Sequence, residues 1–165
     1  MAANILVKAR FKVISFKSTL RKACYIMQGM IVGSQTIVGK IHVEWPNSVE
    51  IGKNCDIQDG ITFWIQSPFK IDNRIIIGDN VFIGRNTEFN CCKSIRIGNN
   101  CLIASSTVFV DSSHTFVKDE LITNQRLALK EITVEEDVWI GTGCKILFGV
   151  RLGRGCIIGA GAVVN

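Results

Sequence analysis

The sequence predicts an all-β fold, a parallel β-helix in which the chain winds through stacked three-sided coils. Three observations point to it. From Val134 onward an apolar residue returns every six positions, at Val134, Ile140, Ile146, Leu152, Ile158 and Val164, an interval that neither an α-helix nor an alternating strand keeps. Glycine follows the apolar mark at 141, 153 and 159, and a small residue stands four after it at Cys144, Val150, Cys156 and Ala162. The pattern also occurs upstream, in Ile77-Gly78, Ile83-Gly84 and Ile97-Gly98. Each hexad reads as a short flat strand and a bend. Three hexads bring the chain round a triangle in about 18 residues, one strand spacing of about 4.8 Å above its start.

Composition agrees with a single domain. The chain has 165 residues, of which 47% are hydrophobic and 20% charged, the balance of a compact soluble unit. Apolar runs fall far short of the roughly 20 residues that cross a bilayer, and no signal-peptide pattern opens the chain, so a cytoplasmic address is expected. None of the seven cysteines has CxxC spacing. Cys55, Cys101, Cys144 and Cys156 each follow an apolar mark by four positions, where a free cysteine serves as a small interior filler. No metal site is expected, and Cys91 and Cys92 have no assigned role.

In chain order, residues 1–30 form a basic amphipathic segment, a helix or helix pair, distinct from the β-helix domain at 31–165. Lys8, Arg10, Lys12, Lys17, Arg21 and Lys22 face no acidic residue there, which leaves 13 bases against 14 acids in the remaining 135 residues. This segment reads as a cap over the open end of the prism. The alternative is a contact with an anionic membrane surface or a lipid-linked acceptor, which would make the protein peripheral to the inner face of the membrane. Nucleic acid is not expected, because stacking aromatics do not interleave with the charge. From Ile31 to Ile51 the repeat is ragged and suggests an incomplete first coil. It continues through Ile57 and Phe63, and an insertion from Gln66 to Arg74, containing Ser67-Pro68, should leave the prism at a corner. Ile77 to Ile97 spans 20 residues, so a bend near Cys92-Lys93 must take up the two extra. The interval from Phe109 to Val134 is not a whole number of hexads, and an excursion at about 112–131 interrupts the array, either as a functional loop or as an arm to a neighbouring prism.

The ordered run Ile97-Gly98-Asn99-Asn100-Cys101-Leu102-Ile103-Ala104, Asp111-Ser112-Ser113-His114, the excursion, Ile132-Thr133-Val134, Asp137-Val138-Trp139-Ile140-Gly141 and Ile158-Gly159-Ala160-Gly161-Ala162-Val163-Val164 resembles the hexapeptide-repeat acyltransferases. It is most similar to the galactoside, maltose and surface-polysaccharide O-acetyltransferases. The resemblance, over about residues 31–165, implies a left-handed β-helix, a homotrimer, and acetyl-CoA as donor in the groove between two subunits. The hand comes from the resemblance alone, since parallel crossovers generally take the opposite one.

The same resemblance makes His114 the catalytic base. A sugar hydroxyl attacks a thioester efficiently only if its proton is removed as the bond forms, and an imidazole can take that proton and pass it to the departing thiolate. Transfer would be direct. The oxyanion would be held by a backbone N–H at Gly141 or Thr142. Trp139 falls near the groove or at a subunit contact, and Asp111 or Glu131 would orient His114. Gly159, Ala160 and Gly161, with Gly141 and Thr142, would lie along the pantetheine, and Lys145, Arg151 and Arg154 are candidates for the CoA phosphates. Galactoside-type relatives place an acceptor-contacting Asn where this chain has Gly84, with Asn86 nearby, which leaves the acceptor open. The chain stops at Asn165 in mid-repeat where relatives continue, so CoA binding is expected to be weaker. The alternatives are acyl transfer to an amine, on an amino sugar or small molecule, and a non-catalytic scaffold subunit. A prism hydratase needs three histidine ligands, and only His42 and His114 exist.

Overall fold

The computed structural model describes residues 2–66, 68–70 and 72–165, with side chains in the N-terminal helix described at positions 7, 10 and 13–27. Ser67 and the side chains of Ile5, Leu6, Lys8, Phe11 and Lys12, part of the expectations above, lie outside the described residues. Six complete coils share one axis. The first face of the prism comprises Ile31–Val32, Val49–Ile51, Arg74–Ile77, Ser94–Ile97, Ile132–Val134 and Arg151–Leu152. Ile37–Val38, Asp56–Ile57, Phe82–Ile83, Leu102–Ile103, Trp139–Ile140 and Ile157–Ile158 form the second. Ile41–Val43, Ile61–Ile65, Glu88–Cys91, Val108–Val110, Lys145–Ile146 and Val163–Val164 form the third. Every pairing on the three faces is parallel.

The hexad marks stack in register because each occupies the same position in its turn. Ile51 sits beside Ile77, Ile77 beside Ile97, Ile97 beside Val134 and Val134 beside Leu152. On the third face the column becomes aromatic. Phe63 and Phe89 stack at 5.2 Å, and Phe89 and Phe109 at 4.8 Å with their planes within 2° of parallel. All three rings are buried.

Bends follow the same register. Asn54, Asn80 and Asn100 turn the first edge in the left-handed region, at φ of 53°, 58° and 58°, which Asn tolerates better than most residues. Their amides continue the stack, Asn54 Nδ2 donating to Asn80 Oδ1 at 2.8 Å and Asn80 Nδ2 to Asn100 Oδ1 at 3.0 Å. Gly52 has no side chain for a different reason: a Cβ there would lie 2.5 Å from the Gly78 carbonyl oxygen in the next coil. The cysteines also serve the bends. Cys55, Cys101 and Cys144 are buried and donate Sγ–H to the next coil, to Gly78 O at 3.2 Å, Glu135 O at 3.1 Å and Gly159 O at 3.1 Å. Burial pushes the Cys55 and Cys101 thiols above the usual range.

One expectation is corrected. The first coil is complete, since all three of its strands pair with the second coil; its ragged spacing reflects a short 3-10 turn at Pro46–Ser48. Of the two readings of the N-terminal segment, a helix or a helix pair, the first holds: it is one helix, α1 (Ala2–Met27). It is tied to the open edge of the first coil at Val38 and Ile41. The Val38 N–H donates to Ser18 Oγ at 2.8 Å, Arg21 donates twice to Val38 O, and Tyr25 Oη–H donates to Ile41 O at 3.2 Å. No described helix is long and apolar enough to cross a membrane.

The aromatic column predicts a stability effect. Phe89→Ala leaves a ring-sized void between two stacked rings and should cost about 3–5 kcal/mol, read from denaturant unfolding, whereas Phe89→Leu should cost less.

Candidate active site

Both excursions leave the prism at the edge between the third and first faces, one at 66–73 and one after Val110. The longer is an arm with an antiparallel base, Ser112–His114 against Leu127–Leu129, in which His114 faces Leu127. Asp111 forms its neck. This fully buried carboxylate accepts three backbone N–H bonds from the coil below, from Cys92 at 2.6 Å, Lys93 at 2.8 Å and Ser94 at 2.8 Å. Its own carbonyl receives the Lys130 N–H at 3.0 Å, where the chain returns. Asp111 is therefore committed to the bend, and the expected role of orienting His114 falls away. Glu131 is exposed and makes no hydrogen bond to the His114 ring among the described residues. His114 itself is exposed at the arm's base.

Sequence reading missed Gln125. Its Oε1 accepts the Val117 N–H at 2.7 Å while Nε2 donates to Val117 O at 3.1 Å and Glu120 O at 2.9 Å, so one amide staples the end of the arm. In sequence it is one polar residue in a polar run, with nothing to distinguish it. Beyond the base the arm exposes Phe116, Val117, Leu121 and Ile122. Between the two excursions lies a cleft of ≈ 690 Å³ lined by Phe69, Lys70, Asp72, Cys92, Lys93 and Leu129. Cys91 points into the core and Cys92 walls this cleft, its Sγ–H donating to Gln66 Oε1 at 2.8 Å.

The other predicted residues sit on a different edge, between the second and third faces. There the Gly141 N–H is spent in the ladder, donating to Ile158 O at 2.9 Å. Gly141 is thereby removed as an oxyanion donor, and its small size answers the next coil, since a Cβ would lie 2.6 Å from Ala160 N. Thr142 differs. Its hydroxyl donates to Ser105 O at 2.8 Å, while its backbone N–H makes no hydrogen bond among the described residues. Gly159, Ala160 and Gly161 form the bend directly above, with the Gly161 N–H on Thr142 O at 2.8 Å. Asn86 turns the same edge two coils below at φ 57°. At Gly84 a Cβ would lie 2.5 Å from Ser105 N, so this chain has no space there for an Asn side chain. Trp139 stands exposed on the second face in an outward row with Phe82, Leu102 and Ile157.

Within one chain, then, His114 and Thr142 do not meet. The arm that bears His114 leaves one margin of the third face and Thr142 turns the opposite margin, a face about five residues or roughly 15 Å wide at strand rise. Nor do all the expected phosphate ligands share the Thr142 edge. Arg151 pairs with Glu135 at 2.6 Å and Arg154 reaches Glu136 at 3.9 Å, on the edge between the first and second faces; the Arg154 N–H and then Arg151 hold the Glu135 carboxyl below its usual range. Lys145 remains, exposed three residues after Thr142.

The three parallel sheets built on hexads make the prism that the sequence resemblance implied. Residues 131–165 match the family of bacterial transferase hexapeptide repeats and residues 74–108 the hexapeptide repeat of succinyl-transferase. Two stretches of the chain thus carry the hexapeptide repeats of these transferases, and the fold is the left-handed β-helix. The chain is 33% identical to the galactoside O-acetyltransferase of Escherichia coli over 64% of this chain and 53% of that one. Among solved structures, AntD, an N-acyltransferase from Bacillus cereus in complex with dTDP and coenzyme A, superposes with a TM-score of 0.72 at 19% identity, covering 87% of this chain and 77% of that one. A hexapeptide-repeat acetyltransferase from Vibrio cholerae, complexed with acetyl-coenzyme A, does so with a TM-score of 0.58 at 25% identity, covering 89% and 66%. The chain spans 38% to 53% of the length of the first curated relatives it matches.

Asp111→Ala should orphan three buried N–H groups and cost at least about 3 kcal/mol in denaturant unfolding. Limited proteolysis should then cut the arm faster, which distinguishes a loosened neck from a general loss of stability.

Proposed function

We propose that this chain is an acyltransferase that moves the acetyl group of acetyl-CoA directly to a sugar hydroxyl, in surface-polysaccharide biosynthesis, as a homotrimer with His114 as general base. The carrying observation is the division of the machinery between two edges: an exposed imidazole on one and an open Thr142 N–H on another. Rotation about a threefold axis would bring the two together from neighbouring copies. The apolar end of the arm and the outward row of Leu102, Trp139 and Ile157 suit such contacts. Coenzyme A accompanies the Bacillus neighbour and acetyl-coenzyme A the Vibrio neighbour, and the Gly159–Gly161 bend above Thr142 is where the pantetheine would run.

In this reading a ring nitrogen of His114 takes the hydroxyl proton as the sugar oxygen attacks the thioester carbon. The Thr142 N–H donates to the oxyanion, which needs a fixed donor. The C–S bond then breaks, and the imidazolium returns its proton to the thiolate of CoA. Acyl transfer to an amino sugar uses the same groups and is the second reading, kept open because the Bacillus neighbour is an N-acyltransferase.

His114→Ala should lower thioester cleavage by about 10²- to 10⁴-fold with CoA binding and trimer mass retained; unchanged turnover would remove His114 from the mechanism. Thr142→Pro deletes the N–H at a bend that precedes a positive-φ glycine, a place proline suits, and should cost about 10²- to 10³-fold. Co-expression of the two variants should restore part of the activity, because a mixed trimer holds an intact His114 opposite an intact Thr142. No recovery would place the site within one chain, and a panel of hydroxyl and amino acceptors separates the two transfer readings.

A further inference from the structure

Helix α1 is amphipathic with its apolar side outward. Ser18, Arg21 and Tyr25 hold the first coil. At 100° per residue these three positions fall on one side of the helix. Val13, Phe16, Leu20, Ala23 and Met27, spaced by three and four residues, form a stripe on the opposite side and are all exposed, Phe16 by 65% and Met27 by 80%. An ordinary surface helix turns its stripe toward the core; here hydrogen bonds attach the helix and the stripe is left over. It runs 15 residues, about 22 Å at 1.5 Å per residue, with exposed Lys17 on its border.

We propose that this stripe docks the protein onto an anionic lipid surface, with the helix lying in the plane of the headgroups. Charge selects the occupant. Residues 1–30 carry six Lys and Arg and no Asp or Glu, on a chain that is otherwise close to neutral. A second copy of the helix would bring like-charged segments together, whereas anionic headgroups complement them and the acyl region takes the apolar side chains. An apolar strip bordered by Lys17, on a helix without the hydropathy of a span, is the pattern of an interfacial helix. The inference stands apart from the proposed chemistry and would hold for any activity of the prism.

The test is co-sedimentation of the full chain with phosphatidylcholine vesicles and with vesicles of phosphatidylcholine mixed with phosphatidylglycerol. The chain should pellet with the mixed vesicles and not with the zwitterionic ones, and added salt should release it. Phe16→Ser with Leu20→Ser should weaken partitioning at least about tenfold, and Lys17→Glu should weaken it less. The double variant should keep the native melting curve and the native mass in light scattering. Absence of binding to the mixed vesicles, or binding unchanged by the double variant, would overturn the proposal. So would a lowered mass or melting temperature in that variant, since the stripe would then belong to a contact between copies.

Discussion

The parallel ladder dictates most of what this chain does. Coils stacked one strand spacing apart leave no freedom of register, because each backbone N–H finds its carbonyl only if the coil below presents the same bend at the same height. Regular edges and faces therefore carry columns of like residues. Asparagines turn one edge with their amides joined, glycines stand where backbones approach too closely for a Cβ, cysteines seal corners against the next carbonyl, and phenylalanines stack at the ladder's own spacing. A substitution in such a column is felt by the coil above and the coil below.

This regularity explains how much of the fold could be read in advance. Hexads from Ile51 to Val164 specify the faces, the insertion, read as Gln66 to Arg74 and ending one residue earlier, and the point where the array breaks after Phe109. Less was legible where the period is disturbed. The first coil seemed incomplete because a 3-10 turn at Pro46–Ser48 lengthens one side while all three strands still pair. The functional site divided in the same way. Gly141 was named for its place in a pattern, yet its N–H belongs to the ladder, and only the neighbouring Thr142 keeps one outside it. Asp111 stands in the right stretch, but burial and three N–H partners commit it to structure. Hydrogen-bond commitments of this kind depend on which coil lies adjacent, and no linear spacing encodes them.

A prism also separates its edges. Side chains on different edges cannot converge on a small molecule unless something crosses a face, and in this chain the arm with His114 departs from one edge while Thr142 and the small bends above it occupy another. Chemistry that needs both must recruit a second surface. The row of Trp139, Leu102 and Ile157 and the apolar end of the arm are the features that make such recruitment favourable, since exposed apolar area of this kind is covered at a gain in free energy.

The neck at Asp111 and Lys130 has a wider meaning. Because the carboxylate holds the coil below while its carbonyl meets the returning strand, the helix continues across the gap much as though nothing had been inserted. The junction behaves like a graft union: whatever grows from it can lengthen, shorten or change its tip without unwinding the stem. The arm can then diverge among descendants of such a chain while the scaffold stays still.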